Sequence, residues 1–107
     1  FKYASYMNDW VAKVERVGNL NYPDAARRQG ISGNLMLQVA INTDGSVRSI
    51  RLLRSSGHKV LDDAAVRIVQ LAAPYPPLPQ DIRKDTDILH ITRTWEFINN
   101  RGLTTRR

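Results

Sequence analysis

The stretch Ile88–Ile98, ILHITRTWEFI, constrains the fold more than any other part of the chain. Leu89, Ile91, Trp95 and Phe97 alternate onto one face, and Ile88, His90, Thr92, Thr94 and Glu96 onto a more polar one. A period of two is what a half-buried β-strand needs. β-branched and aromatic residues dominate the run, and neither glycine nor proline interrupts it. Arg93 breaks the apolar face, so burial there is incomplete. Two readings follow. The run is the closing strand of a small core, or it is a sheet edge that pairs with a peptide from another protein.

A chain of 107 residues makes one domain with a modest core. Its composition, 42% apolar and 24% charged, is that of a globular protein. No run approaches the roughly eighteen apolar residues of a membrane span. The chain opens on Phe1 rather than Met and is read as a fragment, so absent targeting signals say nothing about a parent protein. There is no cysteine, which removes disulfides, thiolate catalysis and cysteine-based metal sites. Sixteen basic against ten acidic residues give a net charge of +6. That balance suits an anionic partner or simply a solvated basic surface. Arg101, Arg106 and Arg107, in a polar tail, supply half of it.

Residues 1–17 read as an amphipathic helix, with Tyr3, Tyr6, Met7, Trp10, Val11, Val14 and Val17 on one stripe. The stripe packs on its own domain or serves as an association face. Gly18 is expected in the left-handed position just past the helix end. Residues 18–22, GNLNY, read as a polar connector, and Pro23 opens a short helix, PDAARRQ, terminated by Gly30. Gly33–Asn42 is the clearest hairpin arm: Leu35, Leu37, Val39 and Ile41 share one face. Asp44-Gly45 marks the tight turn, and Val47–Arg54 returns. Arg48, Arg51 and Arg54, spaced by three, fall on alternate faces of that arm and form no single basic stripe. Residues 59–73 carry a helical stripe of Leu61, Ala64, Ala65, Ile68 and Ala72. PYPPLP, with four prolines in six residues, then forces an extended, stiff connection.

This order predicts an α+β fold: a three-stranded sheet of order 2-1-3 packed on a helix, with an extra N-terminal amphipathic helix. The helical link between the second and third strands crosses over the first. The third strand then lies antiparallel to the first and parallel to the second, with one edge unpaired. Three segments are expected: the helix at 1–18, a domain at 19–98, and a polar basic tail at 99–107.

The stretch NYPDAARRQGISGNLMLQVAINTDGSVRSIRLLRSSGHKVLDDAAVRIV resembles the C-terminal domain of TonB-type energy-transducing proteins. The matching pieces are Tyr22-Pro23, the Ala-Arg-Gln-Gly run to Gly30, Gly33, Asp44-Gly45, Ser55-Ser56-Gly57, Leu61-Asp62 with Ala64-Ala65, the PYPPLP segment, and Trp95 and Phe97. Their order and spacing carry the resemblance, over about residues 20–98. It implies a parent protein anchored in the inner membrane, with a proline-rich periplasmic spacer and a proton-driven inner-membrane motor as partner. The domain itself would sit in the periplasm. There it would grip the TonB box, a short peptide of an outer-membrane transporter, as a strand added beside its last strand. Carried over, the implied contact residues are Ile88, His90, Thr92, Arg93, Thr94, Glu96 and Ile98, with Asn19, Leu20, Asn21 and Tyr22 from the connector. The family's Gln-Pro-x-Tyr-Pro pattern reads Asn19-Leu20-Asn21-Tyr22-Pro23 here.

No catalytic residues, cofactor or metal site are expected. No G-x-S-x-G frames a serine, and His58 and His90 lack metal-ligand spacing. Ser55-Ser56-Gly57 before a helix reads as a turn and cap. Two other classes stay open. One is a TonB-like domain coupled to another cell-envelope machine. The other is a basic module for nucleic acid or another polyanion, against which the scattered arginines and core-facing Trp95 and Phe97 both weigh. No nucleic-acid partner is expected.

Overall fold

A computed structural model describes residues 2–107; Phe1, placed at the start of the first helix above, lies outside the described residues. The elements in chain order are α1 (Lys2–Leu20), α2 (Asp24–Gln29), β1 (Gly33–Asn42), β2 (Val47–Arg54), α3 (Lys59–Ala72), α4 (Gln80–Arg83), β3 (Ile88–Ile98) and β4 (Gly102–Arg106). The sheet is antiparallel between neighbours, in the order β2-β1-β3-β4. The α+β class and the 2-1-3 core hold. The expected three-stranded sheet gains a fourth strand from residues expected to form a polar basic tail.

β1 is the central strand, because every other residue of it is apolar. Leu35, Leu37, Val39 and Ile41 are fully buried and meet Trp95, Ile91 and Leu89 of β3 across the ladder. Gly33 sits opposite Phe97. α3 lays Leu61, Ala64, Ala65, Ile68, Val69 and Ala72 into the same core, and α1 adds Tyr6, Trp10 and Val14. Burying Trp95 or Phe97 in this way stabilises by about 2–3 kcal/mol each. The outer face of the sheet is polar: Gln38 donates to Thr92 Oγ1 at 3.4 Å and Arg54 donates to Asn34 Oδ1 at 2.8 Å.

α1 runs three residues further than the sequence suggests. Gly18 lies inside it, buried, where a Cβ would collide with the Leu103 side chain of β4. The glycine is required by close approach of a distant strand and not by a left-handed cap. Asn19 and Leu20 therefore belong to the last turn of α1 and not to a connector. The helix stops at Asn21, whose N–H and side-chain amide both donate to Val17 O (3.0 and 2.8 Å). Tyr22 precedes a proline and leaves helical geometry.

The proline-rich segment is a strap that buries Tyr75 and Leu78 and leaves its prolines exposed. Tyr75 N–H donates to Gly45 O and Leu78 N–H to Thr43 O, each at 2.9 Å, which ties the strap to the hairpin turn. Gly45 has φ +88°, and a Cβ there would strike the Tyr75 carbonyl. Tyr6 Oη donates to Pro76 O at 2.8 Å and Lys13 Nζ to Pro74 O at 2.7 Å, so α1 holds the strap from the other side. Tyr75 Oη donates to Val69 O of α3 at 2.8 Å.

Candidate functional site

β3 has two unlike halves along its outer edge. Residues 94–98 pair with β4: Thr94 with Arg106, Trp95 with Thr105, Glu96 with Thr104, Phe97 with Leu103 and Ile98 with Gly102. Residues 88–93 pair only with β1 among the described residues, so their other edge is open. β3 is thus an edge strand for half its length, and the expectation of an unpaired edge along all of it is corrected to 88–93. The cause is a tight reversal at residues 99–101, where Asn100 takes φ +70° and Arg101 N–H donates to Ile98 O at 3.0 Å.

β4 stays down because α1 holds it. Leu103 N–H donates to Asn19 Oδ1 at 2.8 Å, and Asn19 Nδ2 donates to Leu103 O at 3.2 Å. Thr105 N–H donates to Glu15 Oε2 at 2.8 Å. Leu103 is buried beside Gly18. Backbone donors on the far side of β4 thereby find acceptors on a helix, where a bare sheet edge would leave them unpaired.

The open half of β3 faces a groove of about 580 Å³ lined by Tyr3, Ala4, Met7 and Asn8 of α1, by His90, Thr92 and Arg93 of β3, and by Arg107. Tyr3 is exposed and Met7 half-buried. Leu89, Ile91 and Arg93 alternate onto the core side of β3, and Ile91 is buried. Arg93 Nη2 donates to Thr105 O at 3.0 Å, while its Nε is buried without a protein acceptor. Burial pushes the Arg93 guanidinium down from its ordinary value; Glu15 opposes that and Arg107 adds to it.

The residues singled out from the sequence fall into three places. Ile88, His90, Thr92 and Arg93 lie on the open half. Thr94, Glu96 and Ile98 lie on the half that β4 covers, and Thr94 is buried. Asn19, Leu20, Asn21 and Tyr22 lie at the far end, beside the β3–β4 turn. Asn19 is engaged by β4, Leu20 is 79% exposed, and Tyr22 is buried edge-on against Phe97, with Arg27 over its ring. The structure does not bring this group to the open edge; β4 stands between them. The sequence reading missed the α1 wall. Tyr3 and Met7 were legible as part of an apolar stripe, but nothing local marks which end of the stripe is left uncovered. Trp95 and Phe97 are fully buried, which leaves no aromatic platform on the sheet for stacking bases.

No titratable cluster suited to a metal ion occurs among the described residues, and none of their helices is long and apolar enough to cross a membrane. The strongest perturbations are structural. Burial pushes the Tyr6 phenol up to about 12 and the Tyr75 phenol higher still. At Asp62 burial pushes upward, but hydrogen bonds from Ser55 Oγ, Ser56 N–H and Ser56 Oγ outweigh it and hold the carboxyl below its usual range. Ser55, Ser56 and Asp62 thus form the turn that opens α3.

Residues 18–98 match the family described as the Gram-negative bacterial TonB protein C-terminal. The chain is 32% identical over 76 residues to Protein TonB of Helicobacter pylori, a match that takes in 69% of this chain and 27% of that protein. It is 31% identical over 67 residues to Protein TonB of Pasteurella multocida, covering 63% of this chain and 26% of the relative. The chain therefore matches about a quarter of the length of these relatives. Among solved structures, the solution structure of the Helicobacter pylori TonB C-terminal domain (residues 179–285) superposes with a TM-score of 0.64 at 25% identity, covering 88% of this chain and 84% of that one. The HasB C-terminal domain shares the fold, with a TM-score of 0.55 at 23% identity, over 88% of this chain and 72% of that one. A matched family model across most of the chain, and a fold shared with a TonB C-terminal domain, make this chain a member of the TonB C-terminal domain family.

Proposed function

We infer that this domain captures an extended peptide, the TonB box of an outer-membrane transporter, by strand addition to residues 88–93 of β3. The single observation that carries the reading is the half-open edge. Residues 88–93 have no strand partner on their outer side, along a groove whose far wall is α1, and only Ile88 has its N–H and O engaged locally, by Thr86 Oγ1. A new strand there would continue the line of β4 and complete the sheet. The family supports a partner in the outer membrane, a position in the periplasm, and a parent protein driven by an inner-membrane proton motor. The domain then transmits force and performs no covalent chemistry.

Backbone pairing over six residues makes a few hydrogen bonds, each adding about 1 kcal/mol net. Loss of translational freedom and ordering of the peptide offset much of that. The grip is moderate and reversible at rest. Under load it is stronger than its affinity suggests, because bonds aligned along a strand share a shearing force.

An amide NMR titration with TonB-box peptides tests this directly. Shifts concentrated on residues 88–93 and on Tyr3 and Met7 are expected; shifts confined to the outer face or the β2 edge would reject it. Proline substitution adds a second test. Strand amides alternate between the two edges, so one of Thr92→Pro and Arg93→Pro removes an N–H from the open side and the other breaks the β1 ladder. One variant should keep the fold and lose capture. Retained capture in a folded variant at both positions would overturn strand addition.

A further inference from the structure

A second hollow, of about 230 Å³, lies at the covered end of β3, away from residues 88–93. It is lined by Asn19 of α1, Tyr22 just before α2, Arg27 of α2, and Asn100, Arg101 and Gly102 of the β3–β4 turn. Two of these six side chains are cations and none is a carboxylate. Arg27 reaches Asp24 at 3.9 Å with both side chains exposed, which is a weak hold. The ion pairs among the described residues do not include Arg101. Tyr22 is 8% exposed, and its Oη is buried without a hydrogen-bond partner. A buried hydroxyl left without a bond costs stability, and native proteins seldom keep one idle. Burial pushes the Tyr22 phenol up from its ordinary value and Arg27 opposes that, so the group is a protonated donor at neutral pH. The turn is shaped to border the hollow: Asn100 takes φ +70° and Gly102 φ +100°, and a Cβ on Gly102 would strike Asn19 Oδ1.

Drug-sized ligands need roughly 300–1,000 Å³, so this hollow suits one small polar group. Its donors come from separate segments. That favours a tetrahedral oxyanion, with acceptors on every side, over a planar carboxylate met by a single fork. We propose that Arg27, Arg101 and the Tyr22 hydroxyl form a phosphate-binding site, for free phosphate or for the phosphate of a lipid headgroup. The bound anion bridges α2 to the β3–β4 turn and offsets the like charges of the two arginines. Asn19 borders the same hollow and holds Leu103 of β4 through both its amide atoms. Occupancy therefore stiffens the start of β4. The site is at the opposite end of β3 from the open edge and does not rest on strand addition.

The test titrates inorganic phosphate into this 107-residue domain, with sodium chloride holding the ionic strength constant so that screening does not change. Amide NMR and thermal unfolding are read together. Saturable shifts are expected at Tyr22, Arg27 and residues 100–102, with a rise in Tm that chloride alone does not give. Exchange of the Leu103 amide should slow as the site fills. Arg27→Gln and Arg101→Gln should each weaken binding on the order of tenfold, as loss of a charge-assisted hydrogen bond does. Tyr22→Phe is the sharpest variant. It removes a hydroxyl that the fold does not use, so Tm without phosphate should hold while phosphate affinity falls several-fold. Flotation with phosphatidylglycerol vesicles, against phosphatidylcholine, separates the two sources. Vesicle binding that disappears in the arginine variants assigns a lipid headgroup; vesicle binding absent or untouched by them, with phosphate still bound, assigns the free ion. Shifts that never saturate and spread equally over Arg48, Arg51 and Arg54 would overturn the site as diffuse attraction to a basic surface. So would affinity unchanged in Tyr22→Phe, or no saturable phosphate shifts together with no variant-sensitive vesicle binding.

Discussion

The two halves of β3 have the same alternation in sequence and opposite fates in the structure. Residues 94–98 are roofed by β4 and hold Trp95 and Phe97 in the core. Residues 88–93 hold Ile91 in the core but leave their outer edge to solvent. The strand's own residues do not make the difference. α1 makes it, by offering Glu15, Gly18 and Asn19 to β4 over the covered half, and the β4 ladder ends where Arg106 meets Thr94. One half is committed to stability and the other is kept available.

The sharpest way to break that contrast is to empty the covered half. Trp95→Ala should cost about 3–5 kcal/mol in urea unfolding, whereas Thr92→Ala on the open half should stay within about 0.5 kcal/mol. Similar costs at the two positions would mean that the halves are not energetically distinct. Gly18→Val pushes Leu103 out of its seat and should cost about 1–3 kcal/mol. Its more telling readout is hydrogen exchange: the Leu103 and Thr105 amides should lose protection while those of β1 keep theirs. With β4 loosened, the peptide footprint should lengthen from residues 88–93 into 94–98. Asn19→Ala removes both bonds to Leu103 and should cost about 1–2 kcal/mol, with the same local pattern of exchange and a smaller amplitude.

The smallest effect concerns a region outside both halves. The folded Asp62 carboxyl is held below its ordinary 3.8. At acid pH the unfolded chain therefore binds the proton more readily, and stability rises with pH. The contribution of Asp62 is complete above the unfolded value and is lost as pH falls through the folded one. Denaturation followed from pH 5 to pH 2 should show a shallower acid loss in Asp62→Asn. The protection of Leu103 and Thr105 should not follow that difference.

Much of the fold was legible from local pattern. The alternation of β1 and β3, the Asp44-Gly45 turn and the α3 stripe each state their own structure. β4 did not, because GLTTR has one large apolar residue, and its burial depends on partners more than eighty positions away, Asn19 and Leu103 being 84 apart. Gly18 misled for the same reason. A glycine after an apolar stripe reads equally as a cap or as a contact, and only the tertiary neighbour Leu103 decides. α4, a single turn around Ile82, lay within a segment that reads as polar. The candidate edge followed from sheet order, yet which half of it is open depended wholly on β4. Asn19 was read through family likeness as a partner contact, and it is occupied within the domain by Leu103.

The strap that ties Tyr75 and Leu78 to the hairpin turn, and Pro74 and Pro76 to α1, leaves little slack in the chain leading into β3. The open edge is consequently a rail whose shape is set before anything arrives. On capture, almost all of the conformational freedom lost belongs to the peptide. Affinity is then raised by stiffening the ligand, through a proline outside the paired stretch or a cyclised backbone, far more than by any further rigidity in the domain.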